Sequence, residues 1–216
     1  MEKIFILAII FFAGIFSTAN AAPVTLDEED VIDAVTYLSV ELDNDPNNVD
    51  NYKLRAKLYA TLGDYEMAEQ DYTTAIQLSP DDMEAYYLRA GIYMLEEKYS
   101  AVISDCEHII ATTPNFLGAY AMRASGYSGL GNFDLALKDA NYLVEVDPES
   151  PQSYVARAMV YLDMKDFKRA LNDANQAIRI SPNDPMLYEA RADIYSAMGE
   201  TKKSEKDLKK AENLSR

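Results

Sequence analysis

The sequence predicts an all-α fold, a solenoid of stacked helix hairpins with one extra helix at its N-terminal end. Three observations predict it. Five of the eight prolines, Pro46, Pro80, Pro114, Pro148 and Pro182, stand 34 residues apart without slippage. A tyrosine follows each by six residues (Tyr52, Tyr86, Tyr120, Tyr154, Tyr188), and an Arg-Ala pair begins three residues later, at Arg55, Arg89, Arg123, Arg157 and Arg191. A second tyrosine comes four residues after each arginine (Tyr59, Tyr93, Tyr127, Tyr161, Tyr195), so Tyr, Ala and Tyr at i, i+4 and i+7 share a helix face. One supersecondary unit is therefore copied five times, and each copy must bury its apolar side against its neighbours.

The chain begins Met1-Glu2-Lys3, followed by a thirteen-residue apolar run from Ile4 to Phe16 and then Ala19-Asn20-Ala21. This pattern predicts a signal peptide over residues 1–21, cut after Ala21, and an exported chain. The run is short for a membrane span, so a retained anchor is the alternative and membrane association is not expected after cleavage. No cysteine follows it, which argues against a lipoprotein anchor. Residues 22–48 form a half repeat, a capping helix in which Thr25 and Glu28 suggest a capping box. Val35 and Leu42 take its stacking positions, while Val31, Ala34 and Leu38 are expected to be partly uncovered because no first helix precedes them. Residues 22–26 would close that strip; the sharper reading is a homodimer contact through this helix.

The repeats occupy residues 49–82, 83–116, 117–150, 151–184 and 185–216, one domain over 49–216. Asn48, Asp82, Ser150 and Asp184 precede the first helices as N-caps, whereas Phe116 is a poor one. Gly63, Gly131 and Gly199 supply the break between the two helices of a copy, with Glu97 and Lys165 in the other two. Second helices follow with their own apolar period, as in Ala68, Tyr72, Ala75 and Ile76. On the last helix, Glu205 and Glu212 replace the apolar stacking residues of earlier copies (Leu171 and Ile178, for example), so this helix is expected to cap the array.

These landmarks resemble the tetratricopeptide repeat, with its helix–turn–helix of aromatic and small residues closed by proline. The resemblance covers about residues 31–216. Val102, Cys106 and Ile109 depart from the usual residue types in the second copy. It implies a right-handed superhelix of hairpins whose first helices line a concave groove for a partner peptide or helix.

Arginine at the seventh position of each repeat is matched by aspartate at the twenty-third. The pairs are Arg55 and Asp71, Arg89 and Asp105, Arg123 and Asp139, Arg157 and Asp173, Arg191 and Asp207. Antiparallel helices that bring Ala56 near Ala68 would also bring Arg55 near Asp71, so these are read as structural ion pairs. A row of arginines binding acidic ligands is the alternative.

Composition excludes several classes. A net charge of −16 leaves no basic stripe to neutralise phosphates, so no nucleic-acid partner is expected. The lysine-rich end (Lys202, Lys203, Lys206, Lys209, Lys210) reads as a solvated helix face, with contact to an acidic partner or anionic lipid as the alternative. The single cysteine, Cys106, allows no internal disulfide and reads as a buried small hydrophobe, which points to a bacterial periplasm or secreted location. His108, the single histidine, is expected on a helix surface. Asp43 to Asn48 lacks the glycine and the final glutamate of a calcium loop and reads as a turn. Asn213-Leu214-Ser215 is a chance-level glycosylation triplet. No catalytic residues, metal site or cofactor are expected, and an enzyme is not indicated.

The groove registers implied by the resemblance place Lys53 and Lys57 in the first copy, then Glu84, Tyr87 and Met94 in the second. Val155, Met159 and Leu162 follow in the fourth copy and Met186 in the fifth. Small residues of the third copy, Gly118, Ala121, Ser125 and Ser128, should leave room at the centre. Apolar and methionine-rich flanks suit a hydrophobic or amphipathic segment of another protein. The blander alternative is that these side chains pack between adjacent first helices. The family's carboxylate clamp is not expected, because its positions hold Lys53, Lys57, Leu88, Gly118 and Met122. The function expected is an exported, non-enzymatic scaffold. A holdase-like chaperone is the second reading, and a small-molecule or catalytic role a distant third.

Overall fold

The computed structural model describes residues 28–215, and every regular element among them is an α-helix. The elements are α1 (Glu28–Asn44), α2 (Val49–Thr61), α3 (Tyr65–Leu78), α4 (Met83–Leu95), α5 (Tyr99–Thr112), α6 (Leu117–Gly129), α7 (Phe133–Val146), α8 (Pro151–Asp163), α9 (Phe167–Ile180), α10 (Pro185–Ala197) and α11 (Thr201–Leu214). The signal peptide, the Thr25 half of the capping box and residues 22–26 lie outside the described residues. The chain forms two compact units, one ending at Ala119 and one beginning at Tyr120.

Local chemistry fixes the helix boundaries. Asn48, Asp82 and Asp184 accept hydrogen bonds from the backbone N–H of Asn51, Ala85 and Met186, as N-caps do. Ser150 does not cap; its hydroxyl is 3.0 Å from Gln152 Oε1, and Pro151 makes one N–H acceptor unnecessary. Each first helix ends in a left-handed residue. Gly63, Gly131 and Gly199 have φ of 79°, 74° and 76°, and Glu97 and Lys165 adopt the same conformation at 57° and 59°. The turn geometry therefore overrides the cost of a Cβ at those two sites. Lys98 N–H reaches Tyr93 O at 2.8 Å and Asp166 N–H reaches Tyr161 O at 2.8 Å, closing the same terminal loop that Asp64 makes with Tyr59.

In the N-terminal unit, α1 packs on α2, and the hairpins α2–α3 and α4–α5 follow. The core cluster joins Ala56, Ala68 and Tyr72 to Leu88 and Ile92 of the next hairpin. Val102, Cys106 and Ile109 are all fully buried, so the departures of the second copy repack without opening the core. Of the α1 residues expected to be partly uncovered, Ala34 is half-buried as expected, but Val31 and Leu38 are only 3% and 5% exposed. The large exposed apolar residues of α1 are Ile32, Tyr37 and Val40, because the buried stripe faces α2 and no other helix among the described residues packs on the opposite side.

The C-terminal unit repeats the scheme. Ala124, Ala136 and Ala140 meet Val160, and Ala158, Tyr161, Ala170 and Ala174 meet Ile194. Alanines at the crossing points let helix backbones approach closely, and their full burial is the packing reason for the recurrent Arg-Ala pair.

Candidate partner-binding surface

All five Arg–Asp pairs are bidentate. Nε and Nη2 of Arg55 donate to Asp71 at 2.7 and 2.8 Å, and Arg89, Arg123, Arg157 and Arg191 do the same to Asp105, Asp139, Asp173 and Asp207 within 2.7–3.0 Å. Arg55, Arg89, Arg123 and Arg191 each lie within 6.0 Å of two tyrosine rings, Tyr52 and Tyr59 in the first repeat, and Arg157 lies 5.9 Å from Tyr154. Nη1 then reaches back to the preceding second helix: Arg55 to Ser39, Arg89 to Thr73, Arg157 to Asn141 and Arg191 to Asn175. This third bond was not anticipated, though the run of side-chain acceptors at one register signals it. These four arginines are thus engaged in holding three helices together within each unit, and Arg123 holds the two helices of its own hairpin.

His108 is not a free surface histidine. It is half-buried, its ring stacked on Tyr86 at 4.0 Å, and its Nε2 is buried without a hydrogen-bond partner. Among the described residues, no group of three or more His, Cys, Asp or Glu side chains could hold a metal ion. No described helix is long and apolar enough to cross a membrane.

The first-helix face of the N-terminal unit is tied up in its own contacts. Lys53 Nζ lies 2.9 Å from both Asp82 and Glu84, and Lys57 Nζ lies 3.0 Å from Glu84. Burial alone would lower the Lys53 ammonium, but its bonds to Asp82 and Glu84 more than reverse that. Burial likewise acts to raise the Glu84 carboxyl, and the two lysines outweigh it, holding it below 4.5. Tyr87 is a correction: it is 6% exposed, with its ring edge-on to Phe116 at 5.0 Å, and offers no open surface. Gly118 leaves no room either, since a Cβ there would come within 3.1 Å of both Phe116 and the Tyr87 hydroxyl. Met94 is half-buried.

The C-terminal unit differs. Ser128 is buried and donates to Asp163 at 2.6 Å, and Ser125 bonds its own helix at Ala121 O, so these serines are already engaged. Val155, Met159, Leu162 and Met186 are half-buried along α8 and α10, two helices in mutual contact. Met159 and Leu162 rest one side on the core cluster, so part of their surface serves packing and part remains open. Glu189 sits beside Met186 on the same face. Burial raises its carboxyl, and Asp193 and Asp184 raise it further.

Sequence profiles of the tetratricopeptide repeat match residues 49–82, 121–185 and 187–216, together more than half of the chain. The chain belongs to the tetratricopeptide repeat family. Among solved structures, a tetratricopeptide repeat protein from Parabacteroides merdae is similar at a TM-score of 0.71 and 21% identity, over 97% of this chain and 80% of that one. A thermophilic tetratricopeptide repeat protein of Thermus thermophilus, TTC0263, is similar at 0.68 and 22% identity, over 77% of this chain and 91% of that one. YrrB, described as a tetratricopeptide repeat protein with an unusual peptide-binding site, is similar at 0.54 and 17% identity, over 83% of this chain and 93% of that one. Identities at this level speak for the fold alone. Comparison with curated proteins found no match. As a chain of this family it is a protein–protein interaction scaffold.

Proposed function

We propose that the scaffold captures an extended or helical segment of a partner on the first-helix face of its C-terminal unit. The observation that carries this reading is the half-open apolar row of Val155, Met159, Leu162 and Met186. Flexible methionines suit a segment that must be accommodated by small adjustments. The peptide-binding site in the description of YrrB makes the same use of this fold a reasonable one for the present chain. The equivalent face of the N-terminal unit, with Lys53 and Lys57 held by Glu84, contributes no comparable surface.

The test is selection of displayed peptides on the purified chain, followed by titration of the enriched peptides. Met159→Glu places a charge among the apolar side chains and should weaken them at least about tenfold, about 1.4 kcal/mol. Lys57→Glu should leave them unchanged. Undiminished binding to the Met159 variant would move the site elsewhere.

Residues 1–21 carry the export proposal, and N-terminal sequencing of the protein recovered from its native cell tests it: a mature start at Ala22 supports cleavage. The adaptability of the methionine row favours the holdase reading as the second choice. Selected peptides sharing no pattern, bound with similar affinity, would favour it over a scaffold with a defined partner.

A further inference from the structure

We propose that the chain associates with a second copy of itself head to tail, α1 of one copy against α11 of the other. This goes beyond partner capture and uses neither Met159 nor its neighbours. Both helices bear apolar residues whose equivalents inside the array are covered. Tyr37 occupies the register of the arginine-paired aspartates and is 63% exposed, against 3–5% for Asp71, Asp105, Asp139, Asp173 and Asp207. Ile32 and Val40 extend the strip at 48% and 55%. On α11, Leu208 is 42% exposed, whereas Tyr72, Cys106, Ala140 and Ala174 at the same register are 0–2% exposed. Met198, at the foot of that helix, is exposed as well.

Charge selects the pairing. The open side of α1 carries exposed Glu29, Asp33 and Asp43. Two copies joined α1 to α1 would set acid against acid, which disfavours the symmetric dimer that the sequence suggested. The last described helix, α11, has the opposite character. On α11, Lys202, Lys206 and Lys209 are exposed in an i, i+4, i+7 stripe beside Leu208 and outnumber the exposed Glu205 and Glu212 at the stacking registers, and Asp207 is engaged by Arg191. Lys209 also stands where Ser39, Thr73, Asn141 and Asn175 accept a hydrogen bond from the next arginine. That face therefore does not suit another arginine-bearing helix, and it does suit the acidic, arginine-free α1.

Sedimentation velocity of the purified chain over a concentration series tests the proposal. The weight-average mass should rise with concentration and fall back when salt is raised, since screening weakens exposed charge pairs. Lys206→Glu/Lys209→Glu and, separately, Glu29→Lys/Asp33→Lys should each weaken association at least about tenfold. All four positions are exposed, and far-ultraviolet circular dichroism should show unchanged helix content. Mixing the two variants should restore association, because each supplies the end the other lacks. A mass that stays monomeric, or association that ignores the lysine reversals, or a mixture that stays apart, would overturn it.

Discussion

The first-helix faces of the two units are built on the same frame and end in opposite states. In the N-terminal unit the face is neutralised by its own residues: two lysines reach forward to Glu84, and Tyr87 and Phe116 fill the space beside Gly118. In the C-terminal unit the same registers hold aliphatic side chains and an acid whose charge is disfavoured. The difference teaches that a repeat register fixes where a side chain points, while its neighbour in the next repeat decides whether it is free to bind. Lys53 would be an anion site in isolation, and Glu84 removes that option.

Removing a clamp aspartate should break both units alike. Asp71→Ala in one and Asp139→Ala in the other each strand a largely buried guanidinium, at a cost of roughly 3–5 kcal/mol. Urea unfolding measures both, and unequal losses would show that the two frames are not equivalent. The next largest effect separates the faces: Met159→Glu should cost peptide affinity and Lys57→Glu should not, as titrated above. The acids then sharpen the contrast through pH. Glu84 has a folded pKa below its usual 4.5, so its contribution is complete above 4.5 and is lost as pH falls through the folded value. Glu189 has a raised folded pKa, so its ionised form weighs against folding, and stability is recovered as pH falls through that value toward 4.5. Glu84→Gln should cost about 0.5 kcal/mol at pH 7, since the carboxylate is half exposed. Glu189→Gln should instead stabilise at pH 7. Urea melts of both variants at several pH values check the opposite signs. Smallest are the two left-handed turns that lack glycine, one per unit: Glu97→Gly and Lys165→Gly should each raise stability by about 0.5 kcal/mol, the relief of a strained φ less the added freedom of glycine.

The sequence made the frame legible because proline, tyrosine, arginine and aspartate recur at fixed intervals and each has one local reason to do so. The helix caps at Asn48, Asp82 and Asp184 follow from side-chain chemistry and were equally readable, whereas Ser150 turned to Gln152 and its cap was lost. The binding face was less legible. Tyr87 is buried by Phe116, a contact between residues far apart in sequence that no single-repeat register predicts. The Lys53–Glu84 pair could have been found by aligning each first helix with the next, as could the third arginine bond at Ser39, Thr73, Asn141 and Asn175. The large exposed apolar residues of α1 lie on a different face from the Val31 and Leu38 stripe, because the helix buries that stripe toward α2, the neighbour it packs on.

Because Arg55, Arg89, Arg157 and Arg191 each grip their own hairpin and also the helix before it, loosening one hairpin leaves its neighbour's cation short of an acceptor. Opening events should therefore spread between adjacent hairpins within a unit instead of remaining confined to one. Amide exchange of the hairpins in each unit would then proceed in shared bursts rather than one hairpin at a time.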